Sequence, residues 1–179
     1  MAQNPVVTDT AQDQARAQFE AIAAMVARLT HANEGTTPDD CPLTAQDIAD
    51  ALERYPDATS WTELRANYHD PDEAEQRIHE DALSVQGRND WHDPGKPGGT
   101  DPAEYEILLC TGGPAVRIRG TLDQYSQPDT ARLDYSDWGT PWTQYRHPIA
   151  FDDLHDAAAE LTRYRETLLA YARQFWYGE

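Results

Sequence analysis

The chain has almost no lysine: Lys96 stands alone among 14 basic residues, which face 32 acidic ones for a formal charge of −18. A field of that sign repels phosphate backbones and anionic headgroups, so direct nucleic-acid binding and a membrane partner are not expected. Cysteine is as sparse. Cys41 and Cys110 lie 69 residues apart without a second pair, which is neither a disulfide framework nor a zinc spacing. Both are expected as free thiols in a reducing cytoplasm. No run approaches the roughly 20 apolar residues of a bilayer-spanning helix, and Met1 to Thr10 lacks the basic and apolar stretches of an export signal. The sequence also lacks G-x-G-x-x-G, G-x-x-x-x-G-K and H-E-x-x-H, so nucleotide and zinc-hydrolase chemistry have no motif support. No cofactor is expected.

What is present reads first as helix. Phe19, Ile22, Val26 and Leu29 recur at helical spacing and predict a helix from about Thr10 to Leu29. Thr44 with Asp47 resembles a capping box, flanked by Leu43 and Ile48 as a hydrophobic staple, and predicts a second helix ending before Pro56. Ser60 and Glu63 cap a third, carrying Trp61, Leu64 and Tyr68. Asp70-Pro71 opens a fourth, since Asp suits the N-cap and Pro the first helical position. Its stripe is Ile78, Ala82 and Val85, with Gly87 as the stop. Asn89 to Pro102, rich in Pro and Gly, reads as a loop.

Beyond that loop the period changes to two. Tyr105, Ile107 and Leu109 alternate with Glu104, Glu106 and Leu108, and Val116 and Ile118 with Arg117 and Arg119, across Thr111-Gly112-Gly113-Pro114. A two-residue glycine turn sets Leu109 against Val116, Ile107 against Ile118 and Glu106 against Arg119. Ala131 to Tyr135 supplies a third strand. From Phe151 to Trp176, Leu154, Ala158, Leu161, Leu168, Ala172 and Phe175 form one apolar helical face. The expected fold is α+β: a three-stranded or slightly larger antiparallel meander covered by a long C-terminal helix, with a four-helix N-terminal region. Residues 1–90 form the acidic helical part and 100–179 the sheet with its helix, joined into one compact unit by the loop 89–102.

The segment Glu104-Tyr105-Glu106-Ile107-Leu108-Leu109-Cys110-Thr111-Gly112-Gly113-Pro114-Ala115-Val116-Arg117-Ile118, followed by Tyr135-Ser136-Asp137-Trp138-Gly139-Thr140-Pro141-Trp142-Thr143, carries a resemblance. It is similar to a family of uncharacterised small acidic proteins carried by bacterial plasmids, integrative elements and phages. The resemblance covers roughly the C-terminal half and brings no catalytic motif. It implies a mobile-element setting, in which proteins that blunt restriction enzymes or CRISPR complexes are at home.

The candidate site follows from charge. Between Glu34 and Asp81, 14 acidic residues face only Arg54, Arg65 and Arg77. Carboxylates three or four positions apart on a helix have Cβ atoms about 5–6 Å apart. Asp47, Asp50 and Glu53, with Asp72, Glu73, Glu75, Glu80 and Asp81, are therefore candidates for a nucleic-acid-mimicking surface that occupies the basic groove of a host protein. The plain alternative is a set of solvated helix faces with capping acids. Trp138 and Trp142 are candidates for a second, aromatic contact surface that joins a partner or a homodimer; alternatively the stretch Tyr135 to Tyr145 packs against Phe175, Trp176 and Tyr177. Cys110 beside its glycine turn invites a nucleophile reading, against which stands its ordinary place before a hairpin turn. The pairs His69–Asp70, His79–Glu75 and His92–Asp93 match no ligand spacing, and His31, His147 and His155 join none, so neither a metal site nor a catalytic residue is assigned.

Overall fold

The computed structural model describes residues 10–34, 70–89, 102–148 and 154–177, together with positions 49, 52, 53, 56, 57 and 60. Helix α1 spans Thr10–Asn33, a turn beyond the expected end at Leu29. Ala11, Ala15, Phe19, Ile22, Leu29 and Ala32 are its buried apolar side chains, at the three-to-four spacing that one helical face requires. Val26, expected in that stripe, is only half-buried. Helix α2 spans Pro71–Asp81 and buries Ala74 and Ile78. Most of the second and third expected helices, with Thr44, Asp47, Trp61, Leu64 and Tyr68, lies outside the described residues.

The fold is α+β with an antiparallel sheet, and that sheet is larger than a meander of three. Strands β1 (Ser84–Asn89), β2 (Pro102–Cys110), β3 (Ala115–Thr121), β4 (Arg132–Ser136) and β5 (Thr143–Gln144) form five strands in chain order. Strand β1 corrects the helical reading of Ala82 to Gly87. From Leu83 onward the backbone turns to β2: the Leu83 N–H donates to Leu108 O at 2.8 Å, and Val85 pairs with Ile107. At the far end of β1, Asn89 pairs with Pro102, and residues 90–101 between them lie outside the described residues.

In the β2–β3 hairpin Glu106 faces Arg119 and Ile107 faces Ile118, as the alternation predicts. Leu109 does not face Val116. The register shifts between Leu108 and Cys110, which gives Val116 to Cys110. The turn is longer than two residues and uses Gly112 and Gly113 at φ 104° and 74°, values at which an L side chain is strained. Bulges of this kind take up an extra residue while leaving the strand beyond them in phase.

The sheet's inner face carries Tyr105, Ile107, Val116, Ile118 and Leu133, all buried. Each fully buried aliphatic side chain contributes about 1.5–3 kcal/mol. Helix α3 (Leu154–Ala172) lies close to β4. Its buried side chains are Ala157, Tyr164, Leu168, Tyr171 and Ala172, so its inward face is rotated from the expected one. Ala158 is exposed, Leu161 and Phe175 are half-buried, and the Leu154 side chain lies outside the described residues. Two tyrosines stand among the aliphatics here, their rings filling the core, and the Tyr164 hydroxyl is itself buried. The Tyr171 hydroxyl donates to Asp81 Oδ2 at 2.8 Å, and Tyr177 stacks at a tilt on Tyr105, 4.9 Å between centroids. Tyr105 in turn donates to Thr130 O at 2.8 Å. Gly120 lets that loop come close, because a Cβ there meets Thr130 O at 1.8 Å.

The chain clusters into two compact units, residues 1–23 with 81–179, and residues 24–80. The first holds the sheet, α3 and the opening turns of α1, where Phe19 lies against His147 and Tyr164 at 4.9 and 4.7 Å. The second holds the rest of α1 and α2 through Glu80. Its buried described side chains are Arg28, Leu29, Ala32, Ala74 and Ile78. Among the described residues no helix is long and apolar enough to cross a membrane.

Candidate functional site

Helix α2 forms where the sequence places its cap. Asp70 Oδ1 accepts from the N–H groups of Asp72 and Glu73 at 3.0 and 3.2 Å, satisfying two of the four donors that a helix start leaves open. Asp72 and Glu73 then sit at the positive end of the helix dipole. At about 3.6 residues per turn, Ala74 and Ile78 fix the inward side, Asp72 and Glu80 fall on the exposed arc opposite, and Glu75 is exposed on the flank. Glu73 is half-buried at its margin. Gln76 Nε2 donates to Glu80 Oε1 at 2.7 Å, and His79 lies 3.9 Å from Glu75. Arg77 and His79 are exposed on the same helix.

The structure thus brings together four of the eight acidic candidates, Asp72, Glu73, Glu75 and Glu80, on one helix. Asp81 is turned elsewhere: half-buried, it accepts the Tyr171 hydroxyl and so braces α3. Glu53 is exposed, and Asp47 and Asp50 lie outside the described residues.

The outer face of the sheet holds a second array, one that sequence reasoning did not single out. Arg117 is its centre, 12% exposed, between Glu106 at 2.6 Å and Asp134 at 3.5 Å, the latter 4% exposed. Arg132 reaches Asp134 at 3.3 Å, and Glu104 is shared by Arg88 and by Arg119 at 3.5 Å. The indole of Trp142 covers the Arg117 guanidinium at 3.9 Å, a cation–π contact that also shields the pairs from water. The expected facing of Glu106 and Arg119 holds for the backbone, but the ion pairs run diagonally, Glu106 to Arg117 and Glu104 to Arg119. The available signal was the run Arg117-x-Arg119 opposite Arg132-x-Asp134, which the β3–β4 register places side by side.

Trp138 sits in a turn held by Thr140 N–H to Asp137 O at 2.9 Å and is 77% exposed. A Cβ on Gly113 meets its indole nitrogen at 2.1 Å, so the two turns are in contact. Trp176 is 74% exposed, and Tyr145 is buried beside His147 and Tyr164. The two outer tryptophans are therefore not packed away against each other. Cys110 is half-buried, with Sγ 3.8 Å from Pro114 O. Burial, the largest influence, pushes its thiol above the ordinary value, which lowers the thiolate fraction that nucleophilic attack requires. His147 lies 3.5 Å from Glu160, while His69 and His92 lie outside the described residues. Among the described residues no group of three or more His, Cys, Asp or Glu is placed to hold a metal ion.

No family model, curated protein or solved structure matches the chain. The geometry is therefore the ground on which a function is argued. It offers an acidic helix, an ion-paired sheet face and two strongly exposed tryptophans, Trp138 and Trp176.

Proposed function

We propose that this chain is a non-catalytic binding protein of a mobile genetic element, which inhibits a host defence or nucleic-acid-handling complex by presenting carboxylates to its basic groove. One observation carries the reading: Asp72, Glu73, Glu75 and Glu80 all lie on α2 outside its buried Ala74 and Ile78 stripe. Asp72 and Glu75 stand three positions apart, the spacing that brings Cβ atoms to about 5–6 Å, while Glu73 and Glu80 extend the negative charge along the helix over two turns. The resemblance of residues 104–118 and 135–143 to acidic plasmid and phage proteins supports the same setting, with antirestriction or anti-CRISPR activity as the expected outcome.

The test is capture from host lysate by the full chain and by the variant Asp72→Asn/Glu73→Gln/Glu75→Gln/Glu80→Gln. The wild type is expected to retain a basic nucleic-acid-binding protein that duplex DNA competes off and that rising salt releases steeply. Capture that the four neutralisations leave intact, or that DNA does not compete, defeats the reading.

A second reading has its own support. Trp138, 77% exposed on a well-braced turn, suits a protein–protein contact or a homodimer, since exposed tryptophans concentrate at binding hot spots. In that case Trp138→Ala abolishes assembly in sedimentation, and the α2 neutralisations do not.

A further inference from the structure

The end of β3, the loop after it, the start of β4, β5 and α3, with Glu104 of β2, line an open crevice of about 550 Å³, a volume in the range of small-molecule sites. Three arginines line it: Arg119, Arg132 and Arg165. Arg119 and Arg132 are direct cross-strand partners, a like-charge pair that destabilises a sheet unless something negative lies between or beside it. The carboxylates beside them are each divided between two arginines: Glu104, which also lines the crevice, between Arg88 and Arg119, and Asp134 between Arg117 and Arg132. Arg165, exposed on α3, has no ion-pair partner among the described residues. In a chain of charge −18, five guanidinium groups, Arg88, Arg117, Arg119, Arg132 and Arg165, thus stand here among four carboxylates, Glu104, Glu106, Asp129 and Asp134.

We propose that this crevice binds a small molecule bearing a phosphate monoester, independently of the acidic helix. A monoester dianion offers three terminal oxygens and answers three guanidinium groups, whereas a carboxylate is satisfied by one bidentate arginine. Leu169, in the same lining, provides an apolar wall for the ester's organic part. Asp129 also lines the crevice and is exposed. Its charge opposes any anion, which limits the site to a single phosphate and disfavours polyphosphates.

Calorimetric titration of the full chain with phenyl phosphate and with benzoate tests this. Saturable binding of phenyl phosphate is expected, with benzoate about tenfold weaker or worse. Arg165→Gln, a substitution that suits an exposed helix position, is expected to weaken phenyl phosphate about tenfold without moving the unfolding midpoint, and Asp129→Asn to tighten it. Arg132→Gln serves the same purpose should Arg165→Gln fail to fold. Absence of saturation up to about 10 mM, equal binding of benzoate, or an affinity indifferent to both arginine variants overturns the proposal.

Discussion

The two faces of the sheet are built from the same strands and obey opposite rules. Inward, Ile107, Ile118 and Leu133 are fully buried and gain their stability from leaving water. Outward, Glu106, Arg117 and Asp134 are also largely withdrawn from water, beneath Trp142, yet carry charge. Ion pairs in such places return little net stability, because desolvation offsets attraction, but removing one member is costly. The inner face is thus held by what it excludes, and the outer face by the mutual completion of its charges.

High pH is expected to separate the faces most sharply. Tyr105, Tyr164, Tyr171 and Tyr177 are each pushed well above the ordinary tyrosine value, chiefly by burial. The folded form holds these protons more tightly than the unfolded one. Their contribution is therefore intact below about pH 10, the unfolded value, and declines as pH climbs from there toward the folded values. Phenolate absorbance should appear for these four only together with loss of near-ultraviolet dichroism; independent ionisation in a folded protein would break the comparison.

Next in size is Ile118→Ala, which opens a cavity at a fully buried position and should cost about 2–5 kcal/mol in urea unfolding. On the outer face Arg117→Ala takes the partner from Glu106 and leaves Asp134 only the more exposed Arg132, and should cost about 2–4 kcal/mol. The triple change Arg117→Met/Asp134→Leu/Glu106→Gln should recover most of that loss, because it removes the buried guanidinium together with both carboxylates it serves. A rescue failure would mean that the outer face is a core in its own right. The smallest effect expected is Trp142→Ala, about 1 kcal/mol, accompanied by freer access to Arg117.

The sequence displayed these faces unequally. Strict alternation made β2, β3 and β4 legible, with Ile107 opposite Ile118, since a period of two is hard to mistake when one side is buried. Strand β1 left no such trace. It is an edge strand whose residues from Val85 to Asn89 are all exposed, so no half-buried pattern existed to be read, and Ile78, Ala82 and Val85 prolonged the helix on paper. Leu109 was misplaced because a register shift has no hydropathy signature. On α3 the aliphatics trace a face through Ala158, Leu161 and Phe175, whereas the buried face runs through Tyr164 and Tyr171, whose amphipathic rings carry a weak hydropathy signal.

For the candidate site, the Asp70 cap fixed where α2 begins, and from there helical geometry placed Asp72, Glu73, Glu75 and Glu80 together. Asp81 follows them directly in sequence but serves Tyr171 instead, a difference that only a partner 90 residues away decides. The arginine crevice was invisible for the same reason: Arg165 joins Arg119 and Arg132 through tertiary structure alone.

The bond between Tyr171 and Asp81 has a bearing on synthesis. Because neighbouring strands are also consecutive in sequence, the sheet can zip up as it emerges from the ribosome, while the rings that seal it arrive only with the last helix. Until α3 follows, neither that bond nor the burial of Tyr164 and Leu168 can form.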